Sequence, residues 1–345
     1  AAQAHHKKID GHAPGLTGKD LDTYVAAGVY SDHECATMED ALAKLQRGQF
    51  IMIREGTAAR NLEALAPLLT PQYAERCMFC TDDKHPSDLL EKGHIDYIAR
   101  EAINKYGVDP IIAVKAACHH ASRYFLLNNR GAIAPGYLAD FAVIDNFKDF
   151  NVEMVFKKGV LYWNNGELRD FEAPKIEEYL DKRAHDTFHV ATLTPDDFRD
   201  TRQRGVLGMV PGEIITTDNG YADHVDLEKD ILKIAVVERH KGTHHIGLGY
   251  IQGYGLKSGA VATSISHDSH NIIVVGTNSA DMAFAANYIV EHHGGIVVVE
   301  NGTVKGDVVL EIAGIMSDRP LTEVNDQLEA AKDAAFTLGV SPGID

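Results

Sequence analysis

The chain has 345 residues, of which 45% are hydrophobic, and it carries a formal net charge of −17 at pH 7. That acidic balance argues against a nucleic-acid-binding protein, because phosphate contacts need a basic face. No apolar run reaches the roughly 18 residues that a membrane-spanning helix requires. The length predicts two or three domains. The N-terminus lacks the apolar core of a signal peptide, and four cysteines do not suggest a disulfide framework, so a reducing cytoplasm is the expected compartment.

Strands and helices alternate through the first part of the chain, residues 1–128. We predict strands at 8–12, 29–33, 50–54 and 77–81, and helices at 19–28, 37–48, 61–69, 96–106 and 110–127. Thr17 and Thr37 are placed as N-caps, and Thr37 with Asp40 resembles a capping box. Four strand–helix units in succession are half of an eight-unit (β/α)8 barrel.

The pattern changes after residue 128. Residues 129–169 predict a small β module, with two short strands around Pro135-Gly136 and a hairpin formed by 152–157 and 160–163. Residues 170–345 predict an α+β domain, with strands at 231–238, 246–251, 260–264, 271–275, 295–300 and 307–312 and helices at 279–292 and 321–338. The predicted fold class is therefore α/β: the C-terminal half of a barrel, a small β module and a C-terminal α+β domain.

Three of the early predicted strands end in side chains that bind metals. His12 ends the first strand, His33 ends the second, and Asp82 and Asp83 follow the fourth. The carboxyl ends of parallel strands gather at one mouth of a barrel, so these groups are expected close together. Imidazole and carboxylate ligands suit zinc, iron or manganese. A bound ion of this kind makes hydroxide near neutral pH, and a nearby carboxylate moves the proton, so the pattern predicts metal-assisted hydrolysis.

Each of these residues also has an interpretation without a metal. His12 fits a loop histidine hydrogen-bonded to a neighbour. His33 fits a polar strand end, although Asp32 and Glu34 on either side could orient its ring or bind substrate. The adjacent pair Asp82-Asp83 fits an acidic cluster at a helix N-terminus.

Two further groups of metal-type side chains occur. His267 and His270 are three residues apart with Asp268 between them, and they could meet one ion or polar ligand. A polar loop with ordinary turn hydrogen bonds explains them equally well. Cys77 and Cys80 form a CxxC, but no second pair follows at zinc-site spacing, so we interpret them as strand residues, with zinc or redox chemistry as the alternative.

Several motifs point the same way when they are taken together. They are IDGHAPGL at 9–16, SDHE at 31–34, IREGTAARNL at 53–62, CTDD at 80–83, GAIAPG at 131–136 with Ala139-Asp140 after it, and HDSHN at 267–271 with Val275-Gly276 after it. The set resembles the bacterial and archaeal adenine deaminases of the amidohydrolase superfamily, and the resemblance covers nearly the whole chain. It assigns 1–128 to barrel strands five to eight and 170–345 to the family's C-terminal domain.

The resemblance implies a metal-dependent (β/α)8 barrel that converts adenine and water to hypoxanthine and ammonia, with adenine as its small-molecule partner. It implies a divalent metal, binuclear in the complete enzyme, with Mn²⁺ or Fe²⁺ expected and Zn²⁺ as the alternative. A homo-oligomer is expected for the complete protein. The implied residue roles are His12 and His33 as metal ligands, Asp82 as metal ligand and proton shuttle, Asp83 as its alternative or a substrate contact, Glu34 and Glu55 as partners of the purine ring, and Asp83 and Glu55 as further catalytic candidates.

The family's early strands carry a His-x-His pair, and no two histidines here are separated by one residue. We therefore expect an incomplete chain that begins in the helix before strand five and is inactive and poorly stable by itself. Two alternatives remain: another amidohydrolase that acts on a cyclic amide or amino-heterocycle, and a catalytically inactive remnant that serves as an assembly module.

Overall fold

The computed structural model of the chain describes residues 3–5, 7–210 and 216–343. It consists of two compact units, Ala1–Ala173 and Pro174–Asp345. The division into three domains at 128/129 and 169/170 stays a prediction. No helix in the described part of the chain is long and apolar enough to span a membrane.

The first unit contains a parallel sheet whose strands lie in chain order. The strands are β1 Asp10–Gly11, β2 Ser31–Asp32, β3 Phe50–Arg54 and β4 Cys77–Cys80. Each strand pairs in parallel with the next, as expected for consecutive strand–helix units. The predicted α/β fold class is confirmed, although β1 and β2 have two residues each where longer strands were predicted.

Helices follow each strand of this sheet. They are α1 Gly18–Ala26, α2 Met38–Gln46, α3 Leu62–Leu65, α4 Pro86–Glu91, α5 Ile95–Asn104, α6 Pro110–Val114 and α7 His120–Tyr124, with a π-helical segment, Lys115–His119, between the last two. The predicted long helix over 61–69 stops at Leu65, because Pro67 cannot donate a helical hydrogen bond, and the chain continues as a 3₁₀ turn. Thr37 accepts from the N–H of Asp40 as predicted, whereas Thr17 makes no side-chain cap.

The core of this sheet lies on β3. Ile51 and Ile53 are fully buried and belong to one cluster with Leu62 of α3 and Ile98 of α5. An almost continuous apolar strand is typical of a parallel sheet that is covered on both faces. Complete burial of each such side chain contributes roughly 1.5–3 kcal/mol, so the middle of the sheet is its most strongly stabilised part.

A small antiparallel sheet completes the first unit. Its strands, again in chain order, are β5 Phe141–Ile144, β6 Val152–Lys157, β7 Val160–Asn164 and β8 Glu167–Leu168. The hairpin across Lys158-Gly159 forms as predicted. The predicted strand before Pro135-Gly136 is wrong: residues 131–140 form turns and bends, because Pro135 lacks a donor and Gly131 and Gly136 adopt positive φ.

The second unit is built on a mixed eight-stranded sheet of order β10-β9-β12-β11-β14-β13-β15-β16. Its elements are α8 Glu178–His185, β9 Arg204–Met209, β10 Thr216–Ala222, β11 Ile231–Val237, β12 Ile246–Gln252, β13 Ala260–Thr263, β14 Ile272–Gly276, α9 Ser279–Glu291, β15 Gly295–Glu300, β16 Thr303–Val309 and α10 Leu321–Thr337. Helix α9 buries Met282, Ala285 and Ala286 in the core it shares with β13, β14 and β15. The last strand lies several residues before the predicted 307–312, and α8, β9 and β10 were not predicted.

Candidate metal centre

His12 and His33 lie side by side at the carboxyl ends of two neighbouring parallel strands. In the register of β1 and β2, Gly11 stands opposite Asp32, so the residue that follows each strand reaches the same level. The two imidazole ring centroids are 4.6 Å apart and the rings meet edge to face at 76°. The structure thus brings together the two histidines that the strand-end pattern in the sequence singled out.

Little space is available for a side chain at Gly11, the residue immediately before His12. A Cβ atom added at Gly11 would lie 1.8 Å from the hydroxyl oxygen of Tyr24 and 2.9 Å from a methyl carbon of Val29. A larger residue at this position would require the side chains of Tyr24 and Val29 to move.

Glu34 is the third member of the cluster. Its Oε1 lies 3.2 Å from Nδ1 of His12. One ligand atom each from His12, His33 and Glu34 lie within 4.8 Å of one another, and no other trio of metal-type side chains in residues 3–5, 7–210 and 216–343 is gathered in this way. Two imidazoles and a carboxylate are a donor set that zinc, iron and manganese all use, so the residues fit a divalent ion.

Asp10 orients the ring of His33. Nδ1 of His33 donates to Oδ2 of Asp10 at 2.7 Å, which leaves Nε2 as the nitrogen that can bind a metal. This hydrogen bond is the main reason that the pKa of His33 is raised. Burial alone would raise the pKa of Asp10, but hydrogen bonds from His33 and Ser31 outweigh it and the pKa is lowered. The sequence analysis considered Asp32 and Glu34 for this orienting role and missed Asp10.

A buried hydroxyl pair fixes Asp10 in turn. Ser31 Oγ donates to Oδ1 of Asp10 at 2.6 Å, and the hydroxyl of Tyr124 lies 2.6 Å from Ser31 Oγ. Tyr124 belongs to α7 and is buried. A sequence signal for two of these residues exists: Asp10 and Ser31 each precede a candidate ligand histidine by two positions, and side chains two apart on a strand share a face.

Asp82 lies beside the cluster but outside the donor set. Its Oδ2 is 2.9 Å from Nη1 of Arg54, and the same Nη1 is 3.7 Å from Oε1 of Glu34. Arg54 is buried at the end of β3, while the side chain of Asp82 is 36% exposed and its backbone has a φ of +54°. A guanidinium thus separates the carboxylates of Glu34 and Asp82, and the ligand role of Asp82 stays a prediction.

Glu55 and Asp83 flank the same strand ends through other contacts. Oε2 of Glu55 accepts the N–H of Leu62 at 3.1 Å, which caps α3, and burial raises the pKa of this carboxyl. The main-chain carbonyl of Asp83 accepts from Thr57 N–H at 3.1 Å. A Cβ at Gly56 would come within 2.5 Å of a main-chain oxygen, so this loop is tightly packed. The substrate-binding and catalytic roles of Glu55 and Asp83 stay predictions.

The second group of candidate ligands from the sequence, His267, Asp268 and His270, belongs to the second unit. Nδ1 of His267 contacts Oδ1 of Asp268, and the ring centroids of His267 and His270 are 5.9 Å apart. The main-chain carbonyl of His270 accepts from Arg239 Nε. These three side chains are not among the gathered donor trios of the described residues. A ligand-binding role for them stays a prediction.

Comparison with known proteins gives two family matches and a set of curated relatives. Residues 1–162 match the amidohydrolase family, and residues 212–343 match the adenine deaminase C-terminal domain. The adenine deaminase of Desulfatibacillum aliphaticivorans is 43% identical over 352 residues, which is 98% of this chain and 60% of that protein. The adenine deaminase of Kosmotoga olearia is 42% identical, with 97% and 59% covered. The chain therefore spans about 60% of the length of the curated relatives that it matches.

Among solved structures, β-aspartyl dipeptidase from Fervidobacterium islandicum AW-1 is 17% identical, with a TM-score of 0.37 over 46% of this chain and 48% of that one. So weak a likeness adds nothing about the site. The two family domains occur in sequence order, and the curated adenine deaminases match almost the whole chain. The chain is therefore similar to the adenine deaminases, with family matches over 1–162 and 212–343.

Proposed function

We propose that this chain carries part of the active site of an adenine deaminase, which hydrolyses adenine to hypoxanthine and ammonia. The observation that carries the proposal is the donor set of His12, His33 and Glu34 at the carboxyl ends of neighbouring parallel strands. The named activity of the relatives, adenine deaminase, supplies the substrate.

We propose His12, His33 and Glu34 as the side chains that hold a divalent ion, with Asp82 as a further ligand. When bound, such an ion supplies hydroxide near neutral pH. Nitrogen and oxygen ligands suit Mn²⁺, Fe²⁺ and Zn²⁺ alike. We propose Mn²⁺ or Fe²⁺ first, with Zn²⁺ as the alternative and a second ion in the complete enzyme.

The chain's own side chains divide the remaining work. Asp10 fixes the ring of His33 by the 2.7 Å hydrogen bond. Arg54 holds Asp82 in place at 2.9 Å, where this half-exposed carboxylate can move a proton from water to the departing amino group. We propose Glu34, Glu55 and Asp83 as contacts of the purine ring, with Asp83 and Glu55 as further catalytic candidates.

The free thiols of the chain support a reducing location. Cys35, Cys77, Cys80 and Cys118 form no disulfide. Disulfides are rare in the cytoplasm and common outside it, so we propose a cytoplasmic enzyme. A homo-oligomeric state of the complete protein stays a prediction.

The test uses the product of the complete open reading frame that contains these residues. Ammonia release is measured from adenine, cytosine, guanine and a hydantoin after loading with Mn²⁺ or Fe²⁺. We expect adenine to be the preferred substrate, and His12→Ala and His33→Ala to lose both bound metal and at least about 10³-fold in rate. His189→Ala, a substitution of a half-exposed histidine in the other unit, is the matched control.

Three results would contradict the proposal. Normal turnover by His12→Ala or His33→Ala would remove that residue from the site. Preferred hydrolysis of the hydantoin would favour a cyclic-amide hydrolase, and the absence of all hydrolysis would favour an assembly module. The 345-residue chain alone is expected to be inactive because it spans about 60% of the relatives' length.

A further inference from the structure

Helix α2 contributes a buried ammonium group, that of Lys44, which lies next to Asp32, the residue before His33. Nζ of Lys44 lies 3.1 Å from Oδ2 of Asp40 and 3.3 Å from Oδ2 of Asp32, and the side chains of Lys44 and Asp32 are both 0% exposed. A lysine on a short amphipathic helix ordinarily keeps its charge in water. Lys44 instead neutralises part of the charge of two buried carboxylates.

Asp32 connects the two loops that carry the proposed metal ligands. Its Oδ2 accepts the N–H of Ala13, the residue after His12, at 3.0 Å. Its Oδ1 accepts the N–H of Glu34, the residue after His33, at 2.8 Å. One carboxylate therefore sets the backbone immediately beyond both histidines.

Asp40 extends the same network to the loop after β1. Its Oδ2 accepts from Gly15 N–H at 3.4 Å, as well as from Lys44. Its Oδ1 is buried without a hydrogen-bond partner among the described residues. Such an arrangement is costly, since apolar residues of similar volume often stabilise a core as well as a buried ion network or better. Packing alone therefore does not explain why a buried ion network is present at this position.

The length of the strands indicates what the network is for. β1 and β2 have two residues each, so the backbone ladder ends just before His12 and His33. Beyond these strands, hydrogen bonds to the buried carboxylates of Asp32 and Asp40 hold the backbone in place of strand pairing. Ligand geometry at a metal site depends on such supporting hydrogen bonds.

We propose that the buried network of Asp32, Lys44 and Asp40 positions the two ligand loops, with Asp32 as the residue that contacts both. The inference rests on the proposed metal centre. Asp32 and Lys44 act through the loops and contact no reacting group, so they are positioning residues. Loss of the network should lower metal affinity without removing a ligand.

The experiment titrates the metal-free product of the complete open reading frame with Co²⁺ alone and follows the visible d–d absorption, with a chelator competition to obtain the affinity. We expect Asp32→Asn to weaken Co²⁺ binding by about 10–100-fold and to change the d–d spectrum. Lys44→Met should lower both the unfolding midpoint and the affinity. Asp88→Asn is the matched control, because Asp88 is a buried, ion-paired carboxylate of the same unit that bonds Thr57 and Lys92.

The outcomes separate the two proposals. A parent chain that takes up no Co²⁺, or takes it up equally in His12→Ala, overturns the metal centre and this inference with it. A folded Asp32→Asn that binds Co²⁺ as tightly as the parent, or a control that weakens binding equally, overturns the positioning role alone. If Asp32→Asn does not fold, Asp40→Asn decides: the parent spectrum and affinity in that variant would overturn the proposal.

Discussion

Arg54 and Asp82 form an ion pair in which Nη1 lies 2.9 Å from Oδ2, and Glu34 approaches the same nitrogen at 3.7 Å. The guanidinium thus stands between a carboxylate of the donor set and the carboxylate expected to move protons. A divalent ion at the cluster would compete with Arg54 for both acidic groups. The charge of Arg54 is therefore expected to tune how tightly the site binds its ion.

The first prediction concerns that competition. Arg54→Met removes a fixed positive charge and frees Glu34 and Asp82, so the affinity for Co²⁺ should rise several-fold, while the free energy of unfolding should fall by about 1–3 kcal/mol because a buried pair is broken. Chelator competition and urea unfolding measure the two effects. Arg47→Met, which removes a partly exposed guanidinium paired with Asp22, is the control. Weaker metal binding by Arg54→Met would show that the guanidinium supports the site instead.

A second prediction concerns Asp10. Asp10→Asn replaces a charged acceptor by a weaker, uncharged one, so the pKa of His33 should fall toward its ordinary value in the metal-free chain. Metal affinity should fall by about 10–100-fold, as for other partners of ligand histidines. An NMR titration of the imidazole resonances and a Co²⁺ titration provide the measurements. Ser31→Ala, which removes a partner of Asp10 and leaves the contact to His33, should give a smaller loss.

A third prediction concerns Asp281 in the second unit. This buried side chain accepts from Asn278 Nδ2 at 2.8 Å and from the main-chain N–H groups of Asn301 and Gly302 at 3.2 and 2.8 Å. Asp281→Ala removes the shared acceptor of these three hydrogen bonds, so we expect a loss of about 2–4 kcal/mol of unfolding free energy. Urea unfolding followed by circular dichroism checks this. The exposed Asp318→Ala should change it little, and equal stability of the two variants would count against the role.

A fourth prediction concerns acid stability of the small β sheet. The N–H of Lys158, then Arg130 and Lys157, hold the pKa of Asp140 at about 2, below its ordinary 3.8. A lowered pKa stabilises the folded state above pH 3.8, and that contribution disappears as pH falls toward about 2. Fluorescence of Trp163, on β7 of this sheet, should therefore report an acid transition.

The matching variant removes the titrating group. Asp140→Asn should be less stable than the parent at neutral pH and should lose less stability between pH 3.8 and about 2. Glu167→Gln, on the edge strand of the same sheet, should keep the parent's acid profile. An unchanged profile in Asp140→Asn would place the transition elsewhere.

Local sequence patterns predict much of the fold. The apolar run of β3 predicts a buried strand, and Thr37 three residues before Asp40 predicts the helix start that the structure shows. Long-range pairing escaped such patterns. Strand β10 is polar and mostly exposed, and it is a strand because β9 pairs with it, which nothing in its own pattern indicates.

The candidate site likewise contains contacts that local sequence patterns predict and contacts that they do not. The meeting of His12 and His33 follows from the ends of consecutive parallel strands, so it could be predicted. The contact between Asp10 and His33 depends on the register of two strands, and the burial of Lys44 depends on two carboxylates from separate segments. Neither the Asp10–His33 contact nor the burial of Lys44 can be predicted from a local sequence pattern. A lysine on a helix ordinarily predicts a solvated face.

The two-residue length of β1 and β2 has a consequence for local opening. Few ladder hydrogen bonds hold this end of the sheet, whereas β3 and β4 pair over four residues. The segments that carry His12 and His33 should therefore unfold locally at a lower free energy than the sheet centre. A bound ion would stabilise the closed form by mass action, so amide exchange at Ala13 and Glu34 should slow as metal is added while exchange at Ile53 stays the same.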